Sequence, residues 1–252
     1  MNNKEYSFRE VVQSDTQRMA NFLNEVFEVK KFSKSYLNNL YFGESKAIGL
    51  NVFYKNQIVG HYCILIRDYT YIGKSVKFGW SLNTAVSSVH RGKGFFENLA
   101  RQTYELAKNN GVDAIVGVAN RNSTRLFINK LSFKDLGNIS WNLDFFVKYN
   151  ERLTKPKQLT HLKWKVYIFK GSVFLKLLPF IKIYSDSHKS FFSVYLTSRK
   201  RSKGFGITLP QSWFKSNWQV IALNLLDKGE RYILIDDCLT NLTIDIAESD
   251  TF

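Results

Sequence analysis

The stretch Leu82–Ala107 constrains the fold of this chain more than any other. A strand-like apolar run leads into the short turn Arg91-Gly92-Lys93-Gly94, and the apolar residues that follow recur at helical spacing. A strand, a turn with two glycines and a helix aim several backbone N–H groups at one place, where the helix dipole adds positive charge. Arg91 and Lys93 add formal charge there. The pattern predicts a site for a phosphate or pyrophosphate.

Two common phosphate loops do not fit this chain. A dinucleotide-binding loop needs a third glycine, and Glu97 occupies that position. Gly73-Lys74-Ser75 imitates the end of a P-loop, but Asp68 stands where the leading glycine belongs. The alternative that stays open is an ordinary strand-to-helix turn without a ligand.

The turn resembles the acyl-CoA-binding signature of the GNAT acyltransferase superfamily, Arg/Gln-x-x-Gly-x-Gly/Ala. Arg91 matches the first position and Gly94 the central glycine, whereas Phe96 stands where Gly or Ala is usual. The resemblance covers residues 6–149 and implies the fold, the co-substrate and the reaction described below.

A second segment, 120–133, resembles the other signature of this family. In that signature an Asn opens a helix that carries a Tyr and ends at Gly-Phe. Asn120 matches, but Phe127 replaces the Tyr and Ser132 replaces the Gly. A predicted strand, Ala114–Val118, lies between the two signatures, as the resemblance requires.

The resemblance implies that the chain binds acyl-CoA as a co-substrate. The amides of residues 91–96 are expected to hold the pyrophosphate, and the pantetheine arm is expected to pair with Ala85 and Val86 like an added strand. Asn120 is expected to hold the same arm, and Arg125 or Lys130 to meet the adenosine phosphate. The complete predicted set is Ala85, Val86, Arg91, Gly92, Lys93, Gly94, Phe95, Phe96, Asn120, Arg125, Phe127 and Lys130.

The implied reaction is direct attack of an amine on the thioester. It needs an unprotonated amine, correct placement, a donor for the developing oxyanion and a proton for the leaving thiolate. The N–H of Val86 is the predicted oxyanion donor. Phe127 cannot give the proton that the family's Tyr supplies, so either another group supplies it or the thiolate leaves unassisted.

No residue stands out as a general base. His61 and His90 are the catalytic candidates near the cleft, with Asp68, His188, Asp236 and Asp237 as further possibilities. For each, the alternative is a structural or solvated role. An acceptor amine of low pKa needs no dedicated base, and amines on sugar rings are less basic than lysine.

Charge is spread unevenly over this chain of formal net charge +15. Thirteen Lys or Arg residues lie between Arg152 and Lys203 against one acid, and seven acids lie between Asp227 and Asp250. Such a basic region attracts nucleic acid, anionic lipid or a polyphosphate ligand. The basic run 199–203 is the main feature in favour of nucleic acid, but no recognised binding motif accompanies it, so no nucleic-acid partner is expected.

The order of predicted elements indicates a mixed α/β fold with a GNAT-like central mixed sheet flanked by helices. These elements include a helix over Thr16–Phe27 and an antiparallel hairpin of Ala47–Tyr54 and Ile58–Asp68. We predict an acyl-CoA-binding domain over residues 1–152 and a mostly β region over residues 153–252 that packs against it and binds the acceptor. The predicted strands of the second region are Lys163–Phe169, Phe191–Thr197, Trp218–Leu225, Tyr232–Ile235 and Leu242–Ile246, with an apolar helix-like stretch at Val173–Ile183.

The favoured function is transfer of an acyl group from coenzyme A to the amine of a nucleotide-linked amino sugar, with thymidine diphosphate as the expected handle. The aromatic residues Trp164, Tyr167, Trp213, Phe214 and Trp218 would suit the base, or would simply fill a core. The alternatives are acylation of another small-molecule or protein amine, and a non-catalytic nucleic-acid-binding protein on the same scaffold.

The remaining sequence features favour the cytoplasm. The charged start lacks the apolar core of a signal peptide, and no apolar run approaches membrane-spanning length. Cys63 and Cys238 lie in apolar runs and are expected to be buried free thiols. No metal is expected, because Cys and His show no metal-ligand spacing.

Overall fold

The computed structural model describes residues 5–43, 46–138, 140–145, 153–154, 192–197, 205–208, 219–240 and 242. The predicted segments Lys163–Phe169 and Val173–Ile183, the five aromatic residues proposed for base stacking, His188 and most of the basic region 152–203 lie outside the described residues.

The described residues form one large sheet and one small sheet. The large sheet contains β1 (Tyr6–Glu10), β2 (Lys46–Tyr54), β3 (Gln57–Tyr71), β4 (Lys74–Val86), β5 (Ala114–Ala119), β6 (Lys134–Asn138), β8 (Leu153–Thr154) and β11 (Gln219–Asn224). The small sheet contains β7 (Ser140–Phe145), β9 (Phe192–Thr197) and β10 (Phe205–Thr208). The strand order is β1-β2-β3-β4-β5-β11-β6, with β8 on the end of β3, and β10-β7-β9 in the small sheet.

Helices cover both faces of the large sheet. They are α1 (Thr16–Phe27), α2 (Lys34–Phe42), α3 (Phe95–Asn109), α4 (Arg121–Leu131) and α5 (Glu230–Thr240). One apolar cluster joins α1, α2 and α5 to the sheet around Trp80. A second cluster joins α3 and α4 to the opposite face around Tyr62 and Ile64. The predicted mixed α/β fold, a central mixed sheet flanked by helices, is confirmed.

Local sequence accounts for most of these elements. The apolar residues Met19, Phe22 and Leu23 put one face of α1 in the core, and α1 has the predicted bounds. Ser33 caps α2, its side chain accepting a hydrogen bond from the Tyr36 amide. The predicted hairpin of β2 and β3 is present, joined by Lys55 and Asn56 in left-handed conformation.

The predicted strand Tyr232–Ile235 is wrong, because these residues belong to α5. The buried residues Ile235, Cys238, Leu239 and Leu242 follow one another at intervals of three, one and three residues. That is the spacing of one helix face, and it continues past the short apolar run that suggested a strand. The Arg231 guanidinium holds the first turn of α5 to buried Asp113, with both Nε and Nη2 at 2.8 Å from its carboxylate oxygens.

The large sheet draws strands from both predicted regions of the chain. β11 lies between β5 and β6 and is antiparallel to both, although it follows the predicted boundary at residues 152 and 153. Gln219 at its start is the register partner of Asn138 at the end of β6. Between residues 138 and 219, the only described contribution to the large sheet is β8 at the end of β3, and the chain returns beside Asn138 at residue 219.

Cys63 and Cys238 are free and buried, as predicted. Burial raises the pKa of the Cys238 thiol to about 12 and raises that of Cys63 as well. Both sulfurs are therefore protonated and unreactive at neutral pH. Within the described ranges, no helix has the length and apolarity to cross a membrane.

Candidate active site

A gap between β4 and β5 forms the centre of the candidate site. These parallel strands pair only over Phe78–Trp80 and Ala114–Val116, yet β4 continues to Val86 and β5 to Ala119. From Ser81 and Gly117 onward the two strands therefore separate. Among the described residues, no strand pairs with the backbone groups on the edge of β4 that faces this gap, so an extended ligand can pair with it.

The Val86 amide faces the gap. Ser87 N–H donates to Val59 O at 2.9 Å, so these two residues form a hydrogen-bonded pair of the β3–β4 ladder. Antiparallel pairs alternate, so the backbone of Val86, the partner of Gly60, points away from β3. Its carbonyl accepts from Arg91 Nε at 3.2 Å on that side.

Ala85 does not fit its predicted role of pairing with the pantetheine arm. By the same alternation, Ala85 and its partner His61 form the next hydrogen-bonded pair of the β3–β4 ladder. Its backbone groups are thus directed at β3, and its methyl group is buried in the core. Of the two predicted residues, only Val86 offers its backbone to the gap.

A bulge in β4 lies beside the gap. The register shifts between His61 and Cys63, whose partners are Ala85 and Leu82, so Asn83 and Thr84 together face one residue of β3. Asn83 takes a left-handed backbone with φ of +49°, an uncommon conformation that Asn tolerates better than most residues. Its Nδ2 donates to the Tyr41 hydroxyl at 2.8 Å, which ties the bulge to α2.

The environment of His61 argues against the predicted role of general base. The side chain is fully buried, with Nδ1 at 2.7 Å from Asn51 Oδ1 and Nε2 at 3.1 Å from the Tyr41 hydroxyl. Because Asn51 Oδ1 can only accept, Nδ1 carries the hydrogen and Nε2 accepts from Tyr41. Burial lowers the pKa of His61 to about 3. His61 therefore positions Tyr41, and through it the bulge.

The glycine turn leads directly into α3, as predicted. Gly92 and Gly94 have φ of +76° and +77°, a region that residues with a side chain rarely adopt. Gly94 is the N-cap of α3. The Arg91 amide donates to Ser88 O at 3.3 Å, and the Asn98 amide donates to Gly94 O at 3.1 Å. A Cβ on Gly92 would meet nothing within 4 Å, and one on Gly94 only Asn98 Nδ2 at 3.9 Å. The amides of residues 95–97 belong to the first turn of α3, where the helix itself supplies no acceptor.

Side chains of the turn are held by β1, which the sequence did not indicate. Lys93 Nζ donates to the Tyr6 hydroxyl at 2.7 Å, and that hydroxyl lies 3.1 Å from His90 Nδ1. The ring tautomer decides which of the two atoms donates, because the hydroxyl can accept from Lys93 and still either donate to His90 or accept from it. The contact supports a positioning role for His90 in the turn, and its predicted catalytic role stays a prediction.

The predicted residues of α4 have different surroundings. Asn120 Oδ1 accepts from the Ser123 amide at 2.9 Å, which makes this side chain a helix cap instead of a contact to the pantetheine arm. Arg125 and Lys130 have exposed side chains. They remain available as cationic groups for a phosphate, but no contact joins them to the glycine turn in the described part of the chain.

Phe127 is buried in a row of rings between α3 and α4. Its ring centroid lies 5.3 Å from that of Phe96 and 5.1 Å from that of Phe133, and the Phe133 ring lies 5.8 Å from that of Tyr104. Phe96, the departure in the first signature, therefore packs on Phe127, one of the two departures in the second. The two substitutions form one apolar contact.

The acidic candidates do not enter the gap. Asp236 pairs with Lys134, and Asp237 accepts from the Tyr71 hydroxyl at 2.5 Å, so both hold α5 to the sheet. Asp68 is exposed on β3. No cluster of His, Cys, Asp or Glu that could hold a metal ion occurs among the described residues.

Residues 7–125, just under half of the chain, match the family model described as "Acetyltransferase (GNAT) domain". The match includes the gap and the glycine turn and ends inside α4. No curated protein matches the sequence.

Solved structures with a similar backbone include three acyltransferases. A protein of unknown function from Enterococcus faecalis, described as a probable N-acyltransferase, is 8% identical with a TM-score of 0.48, and the match covers 56% of this chain and 35% of that one. A predicted acetyltransferase from Clostridium acetobutylicum, with acetyl-CoA, is 18% identical with a TM-score of 0.45, covering 52% and 90%. A GNAT family N-acetyltransferase from Escherichia coli, in complex with CoA, is 17% identical with a TM-score of 0.43, covering 52% and 69%.

Proposed function

Residues 7–125 belong to the GNAT acetyltransferase family, and from this premise we propose that the protein is an acyl-CoA-dependent N-acyltransferase. The observation that carries the proposal is that the open edge of β4 lies next to the glycine turn that follows this strand. The β4 edge offers strand-like hydrogen bonds to an amide-containing arm. The glycine turn offers amides and cationic side chains to a pyrophosphate. Acyl-CoA contains both groups, joined end to end.

The chain's own residues fit this ligand in charge and in shape. The left-handed conformations of Gly92 and Gly94 leave the space over the first turn of α3 open. Arg91 and Lys93 add two positive charges, and no acid forms an ion pair with either within the described ranges. The Val86 carbonyl is held by Arg91 Nε, so we expect Arg91 to move toward the phosphates when the arm takes that carbonyl.

The residues around the gap supply placement and electrostatic stabilisation. The Val86 amide, directed into the gap, is the proposed donor to the thioester oxygen as negative charge develops there. The bulge and the Tyr41–His61 pair hold that segment of β4 in place. His61 is engaged at both ring nitrogens, and no general base is identified among the described residues, so we expect the acceptor to arrive as a free amine.

We propose a nucleotide-linked amino sugar as the acceptor. Support comes from the sequence: the thirteen cationic residues between Arg152 and Lys203 against one acid favour a phosphorylated ligand. Amines on sugar rings are less basic than lysine and are more often unprotonated at neutral pH. A polyamine or aminoglycoside suits a chain of charge +15 less well.

Two measurements test these proposals in turn. Calorimetry with acetyl-CoA and CoA tests the co-substrate, and we expect binding by the full chain. A turnover panel then compares thymidine-diphosphate amino sugars with the free sugars, aminoglycosides, polyamines and peptides, using acetyl-CoA and longer acyl-CoAs. We expect turnover only of the nucleotide-linked sugars, because the handle supplies the binding energy that places the amine. Equal turnover of the free sugar would refute the proposed acceptor but not the proposed reaction.

A nucleic-acid-binding role makes a different prediction. If the basic region served nucleic acid, binding would weaken steeply with added salt and acetyl-CoA would not bind. If both results were obtained, a nucleic-acid-binding role would replace the proposed acyltransferase activity.

A further inference from the structure

Tyr6, the first residue of β1, contacts the glycine turn on both sides of its two glycines. The Tyr6 hydroxyl lies 3.1 Å from His90 Nδ1, ahead of the first glycine, and accepts a hydrogen bond of 2.7 Å from Lys93 Nζ, between the glycines. The Tyr6 ring centroid lies 4.8 Å from that of Phe95, the first residue of α3. One side chain of the sheet therefore holds residues 90, 93 and 95 relative to one another.

The sheet topology brings Tyr6 to the turn from far away in the sequence. β2 and β4 are both antiparallel to β3, so they run in the same direction and finish at the same end of the sheet. β1 is antiparallel to β2, and Tyr6 is the register partner of Tyr54, the last residue of β2. The start of β1 therefore lies at the end of the sheet where β4 leads into the glycine turn.

The turn needs an external contact because its own residues leave it free to move. Gly92 and Gly94 lack side chains, and glycine has more conformational freedom than any other residue. Lys93 lies between them with an exposed side chain, whose long stem loses rotamer freedom when its ammonium group binds a ligand. In the part of the chain that the structure describes, the hydrogen bond to Tyr6 is the contact that orients this ammonium group.

A tyrosine hydroxyl can orient Lys93 without competing with an anionic ligand. The ammonium group has more N–H donors than this contact uses, so donors remain for phosphate oxygens. The hydroxyl partner is uncharged, and within the described ranges no carboxylate forms an ion pair with Lys93. The positive charge of the turn is therefore oriented but not neutralised.

We propose that Tyr6 is a positioning residue for the diphosphate of acyl-CoA. It holds the Lys93 ammonium group, and the His90 end of the turn, in the arrangement that receives the phosphates. The inference rests on the proposed function and deepens it. Lys93 is the group that contacts the diphosphate, and Tyr6 acts through it. Because the turn is ordered before the ligand arrives, less conformational entropy is lost on binding.

Calorimetry on the full chain tests this role with two ligands, CoA and dephospho-CoA, which both contain the diphosphate. Tyr6→Phe keeps the ring that packs on Phe95 and removes only the hydroxyl. We expect it to weaken the binding of both ligands by the same factor, about fivefold. In a Lys93→Met protein, where no ammonium group remains to be positioned, the same change is expected to alter affinity by less than about twofold. A purely structural role of the hydroxyl would weaken binding equally in both backgrounds.

Tyr54→Phe is the matched control. The Tyr54 ring centroid lies 4.8 Å from that of Tyr6, and no described residue forms a hydrogen bond with the Tyr54 hydroxyl. This variant removes a hydroxyl from the same pair of rings and should bind CoA as wild type does. Thermal unfolding of every variant checks that the fold remains.

Steady-state kinetics with whichever acceptor the turnover panel identifies provides a second readout. The diphosphate lies away from the reacting thioester, so Tyr6→Phe should raise KM for acetyl-CoA about fivefold and leave kcat unchanged.

Three results would each overturn this inference alone. They are unchanged or tighter CoA binding by a folded Tyr6→Phe protein, an equal effect of Tyr6→Phe in the Lys93→Met background, and weaker binding of CoA without weaker binding of dephospho-CoA. The last result would place Lys93 at the phosphate on the ribose instead of the diphosphate. Failure of wild type to bind CoA would overturn the proposed function, and this inference with it.

Discussion

At the scale of single residues, the site depends on the two glycines of the turn and on two histidines. The roles of Gly92 and Gly94 were identifiable from the sequence, because two closely spaced glycines between a strand and a helix predict left-handed backbone. The roles of His61 and His90 were not, because they depend on Tyr41 and Tyr6, whose hydroxyls arrive from 20 and 84 residues away. Whether a histidine near a cleft acts as a general base or as a structural residue depends on such partners.

Gly94→Val is expected to abolish acyl-CoA binding while the fold remains. The side chain would stand in the space over the α3 amides, and φ of +77° would strain the turn. Calorimetry measures the binding, and circular dichroism the fold. Gly73→Val is the matched control, since Gly73 has φ of +73° and open space but lies in the β3–β4 turn. A folded Gly94→Val protein with wild-type affinity would remove the co-substrate assignment.

Buried His61 makes stability depend on pH in a definite direction. Burial holds its folded pKa at about 3, below the ordinary histidine value of 6.5, so the unfolded chain binds the proton more readily. The contribution is complete above pH 6.5 and declines as pH falls toward 3, by up to about 1.4 kcal/mol per pH unit. Urea unfolding of wild type and His61→Gln between pH 7 and 4 measures this, with a shallower slope expected for the variant. Identical slopes would contradict the buried neutral state.

At the scale of elements, periodicity predicted the helices and strands that bury one continuous face. The periodicity of the apolar residues predicted the bounds of α1 and the presence of the β2–β3 hairpin. The predicted strand at 232–235 failed because a four-residue window overlooked the helical spacing that extends to Leu242. The gap between β4 and β5 had no local signal, since it arises where two distant strands cease to pair.

The contact between α3 and α4 leads to a prediction for Phe127. Phe127→Ala is expected to destabilise the chain by about 3–5 kcal/mol, because a large buried ring leaves a cavity. It should also lower turnover by loosening the side of the gap. Phe127→Tyr is expected to keep or raise kcat, since it restores a hydroxyl at the family position. Denaturant unfolding and steady-state kinetics check both. A folded Phe127→Tyr protein that binds CoA but loses most of its kcat would show that α4 is misaligned with the family signature.

At the scale of the whole molecule, the division at residues 152 and 153 does not follow the large sheet. The composition of the C-terminal region indicated its strands, and β9 and β11 lie at two of the predicted positions. Their partners could not be predicted, because a strand's period says which face it buries and not which neighbour it pairs with. β11 pairs with β5 and β6, and β9 with β7.

Because Gln219 lies beside Asn138 in the sheet, residues 139–218 can in principle be deleted. Register partners in an antiparallel pair lie about 5 Å apart, so a two-residue Asn-Gly turn can join residue 138 to residue 219. We expect the shortened chain to fold and bind acetyl-CoA, and to lose turnover of the proposed acceptor. Calorimetry and the turnover panel measure the two properties. Full turnover by the shortened chain would place the acceptor site elsewhere.

The position of β11 also has a consequence for synthesis on the ribosome. When residue 138 emerges, β5 and β6 each lack the strand that will separate them, and the Ile115–Val118 stretch of β5 offers an apolar edge to any other strand. At ordinary rates of translation the missing strand follows on the order of ten seconds later. The nascent chain therefore passes through a period of exposure to mispairing, and its yield in cells should depend on chaperones that bind near the ribosomal exit.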